Sequence, residues 1–426
     1  MQILSGFRSL LGSVIRLGVG EVLSRIASFL FIAYIARRFG VQLLGVVALS
    51  QTVAMYVMLG TDQGLRMAGA RLVARNSAAS PWAINKILGK RIISCGVCVA
   101  LGSIYALLGP VPQSARSYVF AFVLGVIPYA FSLDWLAWGL GKFAWLGAYR
   151  AGVTIIFVFG AVFGIFFSHS TFWPIALANG LAVTVGSLML WIPWRFRWKQ
   201  EVGILESSVD EDSRRNLSWL TVLPLGVATL LTQAFHNFDT IMLGAMSSTA
   251  EVGRYNSAYR ILFLILGSYW LVTNALYPRM SRAQNRSGAQ KFVLGAILAV
   301  GIAGTVIAIV ISILAPTILK LIYGSDLTAT RLLRVLVFAI PMDFCVALLG
   351  ALLVSRGRDR ALLTATGSAA ALNVLFNLFL IPKLNGMGAA IATVVSYAYL
   401  LLFLLQYIIR KPIFELGTSP VALAST

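Results

Sequence analysis

Twelve stretches of about twenty apolar residues recur along the chain, and they restrict its architecture more than any other feature does. Each is long enough to cross roughly 30 Å of hydrocarbon as a helix. Their approximate limits are 13–37, 42–61, 89–109, 117–139, 146–168 and 173–194, then 217–245, 254–277, 291–315, 331–354, 361–381 and 387–409. In lipid every backbone N–H and C=O needs a partner within the protein, which open strands do not provide, and the alternating pattern of a barrel strand is missing. The runs are therefore helices, and the fold class is an all-α polytopic membrane protein with twelve transmembrane helices. Only 11% of the 426 residues are charged, against roughly 25% in a soluble domain.

The charges that remain are lopsided, with 34 Lys and Arg against 14 Asp and Glu and a net charge of +20. No basic region with interleaved aromatics lies outside the apolar runs, so nucleic acid is excluded as a partner. The excess fits orientation and contact with anionic membrane lipids. With the N-terminus inside, 24 of the 34 basic residues fall on the cytoplasmic side and 8 on the other. Both termini are thus expected in the cytoplasm. Asp62 to Arg91, which holds Arg66, Arg71, Arg75, Lys86, Lys90 and Arg91, is expected to lie along the inner headgroups as an amphipathic helix. The N-terminal stretch lacks a small-residue cleavage site and reads as the first span. Cys95 and Cys98 fall inside an apolar helix, where small residues filling a helix contact explain them better than a metal or redox pair.

One long polar stretch, RFRWKQEVGILESSVDEDSRRN, separates six helices from six. The expected organisation is an N-lobe (1–194), a cytoplasmic linker (195–216), a C-lobe (217–410) and a cytoplasmic tail (411–426). The lobes look related. Gly40 and Gly45 before the second helix correspond to Gly244 and Gly253 before the eighth. Pro128 with Gly139 in the fourth helix corresponds to Pro341 with Gly357 at the tenth. An even number of helices per copy gives a parallel repeat about an axis along the membrane normal.

Ionisable groups at bilayer depth are costly and mark functional positions. The segment Gln233 to Arg260 concentrates them: His236, Asn237 and Asp239 end one span, and Arg260 lies in the next. Arg25 sits in the first span with Glu21 one turn earlier, a spacing at which the two neutralise each other. Asp239 and Asp343 have no cation at helical spacing. Asn373 and Asn377 share a helix face and suit hydrogen bonding between helices.

These residues resemble a known family, the lipid-linked oligosaccharide flippases of bacterial O-antigen and exopolysaccharide export, in the superfamily that also holds the multidrug and toxic compound extruders. The similar pieces are Asn237 to Gly244, Glu251 to Tyr255 with Ala258 to Arg260, Asp134-Trp135-Leu136 with Gly139 and Lys142, and Gly357 to Tyr397 with Asn373, Asn377 and Gly386 to Ala390. The resemblance implies two six-helix lobes forming a V around a central cavity that opens alternately to either face of the cell inner membrane. The implied cargo is an undecaprenyl-pyrophosphate-linked oligosaccharide, a lipopolysaccharide or exopolysaccharide precursor turned from the inner to the outer leaflet. A polysaccharide polymerase and a chain-length regulator are the implied partners. The chain is then a carrier, not an enzyme, with no catalytic residue, cofactor or metal centre.

On this reading Arg25 and Arg260, with Glu21 and Asn237, bind substrate, because a guanidinium offers forked donors to phosphate oxygens. Arg260 equally suits snorkelling to the outer headgroups. Asp239, Asp343 and His236 are the ion-coupling candidates, for a proton or sodium ion, while His236 beside Asn237 also suits plain packing. Pro128, Pro224 and Pro341 break spans, and Gly160 with Gly164 and Gly301 with Gly304 allow close helix approach. The alternatives are an ion-coupled drug or metabolite antiporter of the same superfamily, or a membrane polysaccharide polymerase. The short outer loops count against the polymerase, and a net positive cavity favours anionic lipid over cationic drugs.

Overall fold

The computed structural model describes residues 2–168, 171–202, 217–266, 287–324 and 326–410, with side chains placed at 18, from 20 in the first segment and from 294 in the fourth. Among the described residues the elements are all helical, and ten segments are long and apolar enough to cross a membrane. These ten absorb eleven of the twelve expected runs, because the first two are joined in α1 (Gln2–Asp62). A straight helix of that length would measure about 90 Å, three times the hydrocarbon thickness. It is instead broken at Gly40, whose φ of 82° and ψ of 173° suit a residue without a Cβ. The eighth run begins as α9 (Thr249–Leu266), and its continuation to 277 lies outside the described residues. So do most of the expected linker, 203–216, and the tail, 411–426. The linker's first residues, 195–202, continue in helical turns from the span before them.

Contacts divide the chain into two compact units, Met1–Leu230 and Leu231–Thr426. In the first, α1 packs on α3 (Ser80–Leu108), α4 (Gln113–Leu124) and α6 (Phe143–Phe167), and α6 packs on α7 (Phe172–Met189). Phe159, Phe163, Phe166 and Phe167 on the far face of α6 are exposed, as lipid-facing side chains are. The expected fourth span is three pieces: α4, a 3-10 turn at Ile127–Phe131 and α5 (Asp134–Gly139). Pro128 sits in the break, where a ring without an N–H ends a regular ladder.

Of the six basic residues expected along the headgroups, Arg71, Arg75 and Lys86 are exposed, whereas Arg66 and Arg91 turn inward. Between Asp62 and Arg91, α2 (Leu65–Arg75) buries Leu65, Ala68, Leu72 and Val73 and packs on α5. Arg91 is wholly buried on α3. Its guanidinium bonds the Asp62 carboxylate, donates to the Ser132 carbonyl at 2.8 Å and lies 3.5 Å from Asp134. Arg66 pairs with the other oxygen of Asp134 at 2.9 Å. Two arginines and two aspartates thus tie the end of α1 to α2, α3 and α5. A buried arginine is tolerated because each charge meets an opposite one.

The second unit takes in the C-terminal part of α8 (Trp219–Met246), then α9, α10 (Ser287–Tyr323), α11 (Leu327–Leu336), α12 (Ala339–Ser355), α13 (Asp359–Leu384) and α14 (Gly386–Arg410). The expected tenth span is also broken, here into two pieces, α11 and α12. Gly141 (φ 67°) and Gly357 (φ 66°) make the turns that follow the two broken spans. These share backbone geometry, so they pair the copies better than Gly139 with Gly357. At one end Arg254 joins Glu251 at 2.7 Å to Asp326 at 3.1 Å, and Glu251 accepts the Gly386 N–H. The starts of α9, α11 and α14 are pinned together there.

Candidate functional site

The polar centre of the second unit is Asp239, buried on α8 with 1% exposure. Three neighbouring helices supply its partners. Tyr255 on α9 donates its hydroxyl to Oδ2 at 2.6 Å, and Thr393 on α14 donates to the same oxygen at 2.8 Å. Asn377 on α13 donates to Oδ1 at 2.6 Å and also to Asn373 one turn earlier at 3.0 Å. The hairpin between α8 and α9 sets Tyr255 opposite Asp239, and the same antiparallel packing brings Asn256 to Thr240 at 3.3 Å. Asp239, Asn373 and Asn377, apart in sequence, come together as one cage. It offers hard oxygens from a carboxylate, a hydroxyl and two amides. Among the described residues Asn377 Oδ1 has no partner although it is buried. An oxygen set of this kind fits a small hard cation such as sodium.

His236 and Asn237 lie close to the cage in sequence but face elsewhere. Asn237 donates back along its own helix to Gln233 at 2.9 Å. His236 packs edge-on against Phe235 and places Nδ1 3.4 Å from the Tyr397 hydroxyl on α14. Asp343 on α12 is also buried, and it too bonds Tyr397. Arg260 is half-buried on α9 beside Tyr323.

The first unit holds the other candidates. Glu21 pairs with Arg25 at 3.2 Å, as the helical spacing anticipates, and with Arg150 on α6 at 2.7 Å. One carboxylate thus faces two guanidiniums, and the trio carries a net positive charge on two membrane helices. Side-chain exposures of 36–42% leave it open to a ligand. The close crossing of α1 and α6 creates the site, since a Cβ on Gly20 would sit 2.5 Å from the Gly147 carbonyl oxygen. Ser24 and Thr154, 2.5 Å apart, extend the same seam. Arg25 and Arg260 belong to different units.

Four residues escaped the sequence reading. Arg150 lies inside the run 146–168, and a charge at that position was its signal. Tyr255, Thr393 and Tyr397 carry no charge, and nothing in one sequence separates them from packing residues. Of the glycines singled out, Gly164 approaches Pro174 and Gly304 approaches Pro341, each so closely that a Cβ would sit 2.7 Å away. Cys98 fills the space beside Gly60, and no group of three metal-ligating side chains occurs among the described residues.

The profile of the family described as "Polysaccharide biosynthesis protein" matches residues 10–284, and that of the MatE family matches residues 224–379. A probable low-salt glycan biosynthesis flippase of Haloferax volcanii, Agl15, is 22% identical over 166 residues, 38% of this chain. The match spans 35% of that relative's own length. Among solved structures the chain resembles a lipid II flippase, MurJ, in an inward closed conformation, with a TM-score of 0.71 and 12% identity over 92% of this chain and 87% of that one. It also resembles an inward-facing multidrug resistance MATE family transporter, with a TM-score of 0.73 and 16% identity over 93% and 98% of the two chains. At such identities the likeness is one of fold.

Proposed function

Because the chain belongs to the polysaccharide biosynthesis protein family, with a profile match over more than half its length, we propose that it is a flippase working by alternating access. Its cargo is an undecaprenyl-pyrophosphate-linked oligosaccharide, moved from the inner to the outer leaflet of the cytoplasmic membrane for assembly of O-antigen or exopolysaccharide. Both termini are cytoplasmic, and a polymerase and chain-length regulator act on the product outside. The observation that carries this reading is the Glu21, Arg25 and Arg150 cluster. Two forked cations sharing one carboxylate at bilayer depth suit an anionic pyrophosphate, which competes with Glu21 for the guanidiniums. The polyprenyl tail stays in lipid.

Energy for the cycle comes from a cation taken up at Asp239. Its carboxylate with Thr393, Asn373 and Asn377 would hold sodium, and the carboxylate alone would hold a proton. The cation changes the charge of a buried group shared by α8, α9, α13 and α14, and so biases the packing of all four.

Arg25→Ala abolishes polymer export while the protein remains inserted in the membrane, and Arg25→Lys keeps part of the activity. Normal surface polysaccharide in the Arg25→Ala strain removes that residue from the mechanism. A second reading, an ion-coupled drug or metabolite antiporter, draws on the MatE match to residues 224–379. Mass spectrometry of a deletion strain separates the two. Accumulation of a lipid-linked oligosaccharide supports the flippase, and unchanged lipids with raised drug sensitivity support the antiporter.

A further inference from the structure

Asp343 is 6% exposed, and among the described residues its Oδ2 has no hydrogen-bond partner. Among the described residues Tyr397 hydrogen-bonds the Asp343 carboxyl, and the Tyr397 hydroxyl is also 3.4 Å from His236 Nδ1. Helices α9, α10, α13 and α14 pack against α12. The stretch of α10 facing this part of α12, around Gly301 and Gly304, carries no ionisable side chain. Helix α13 carries no ionisable side chain between Arg360 and Lys383. Arg260 on α9 is engaged near Tyr323, and α14 contributes Tyr397. Asp343 therefore has no described cation to neutralise it, and a bare carboxylate at that depth carries a large desolvation cost.

We propose that Asp343 is a proton-binding site distinct from the Asp239 cage, and that Tyr397 transmits its protonation to His236. The Tyr397 hydroxyl has one proton and two neighbours. With Asp343 ionised, the hydroxyl donates to the carboxylate and its oxygen accepts from His236 Nδ1–H. With Asp343 protonated, the carboxyl O–H donates to the Tyr397 oxygen, and the hydroxyl turns to donate to a bare Nδ1. To reach this state the Nδ1 proton passes to the Tyr397 oxygen as the Tyr397 proton passes to Asp343, and Nε2 takes one proton from water. The imidazole's charge is zero in both states, and the net gain is one proton on Asp343. His236 lies one turn before Asp239 on α8, and Tyr397 one turn after Thr393 on α14. The two helices that carry the relay thus also wall the cation cage.

The inference rests on reading the chain as an ion-coupled transporter, yet its test needs no cargo. Infrared difference spectra of the purified protein across a pH titration follow the C=O stretch of protonated carboxyls. The expected result is a titrating band that is kept in Asp239→Asn, lost when Asp343→Asn is added to it, and moved to higher frequency when Tyr397→Phe is added because a hydrogen bond is gone. Should Asp343→Asn fail to fold, the Tyr397→Phe shift decides alone. In an Asp239→Asn background, absence of a titrating band, its survival when Asp343→Asn is added, or an unmoved band when Tyr397→Phe is added each overturns the proposal. A flippase assay that fails while the band behaves as described strikes the cargo assignment and leaves this site standing.

Discussion

Replacing Asp239 with Asn tests the cage with little change in shape. Three donors converge on the native carboxylate, from Tyr255 at 2.6 Å, Thr393 at 2.8 Å and Asn377 at 2.6 Å. An Asn side chain has one acceptor oxygen and an NH2 that must face either Asn377 or the two hydroxyls. Facing the hydroxyls, the NH2 donates to oxygens that rotate to accept it, so what is lost is the bonds those hydroxyls donated, each worth about 0.5–1.5 kcal/mol. Loss of an uncompensated buried charge offsets part of that, so the variant folds with at most a modest loss of stability. The larger change is in its response to cation. A ligand at a hundred times its Kd stabilises the native state by about 2.7 kcal/mol, and a protein that has lost the site gains nothing. The assay is thermal unfolding of purified protein in sodium chloride against choline chloride at equal ionic strength, repeated across pH. Wild type rises with sodium at fixed pH, and the variant loses that rise, while any rise with proton concentration at Asp343 stays in both. A variant that keeps the full sodium-dependent rise, or a wild type indifferent to sodium, refutes the assignment.

Other outcomes follow from the first unit. Arg91→Met strands Asp62 without its buried partner and leaves Asp134 to Arg66 alone, with an expected loss of about 3–5 kcal/mol in denaturant unfolding; adding Asp62→Leu restores part of it. Gly20→Val drives a side chain into the Gly147 backbone, forces α1 from α6 and separates Glu21 from Arg150. Overpacking of this kind costs about 1–3 kcal/mol. Export then falls as far as in Arg25→Ala, read as surface polymer per inserted protein.

The apolar runs and the scarcity of charge settled the fold class, because hydrocarbon leaves the backbone no alternative to a helix. Pro128 and Pro341 marked the two broken spans for a similarly local reason, a missing N–H. Asp239, Asp343 and Arg25 were legible as exceptions, since a charge inside an apolar run is conspicuous on its own. What they touch was not. Tyr255, Asn377 and Thr393 lie 16, 138 and 154 residues from Asp239, and only the packing of α8, α9, α13 and α14 makes them its donors. Arg91 and Arg66 counted in sequence as charges for the headgroups. The fold turned them inward because Asp62 and Asp134, on other elements, arrive at the same point. Periodicity and composition act along the chain, so they are written in the sequence. Pairing acts across space, between residues whose distance no local rule sets, and the tertiary structure alone decides it.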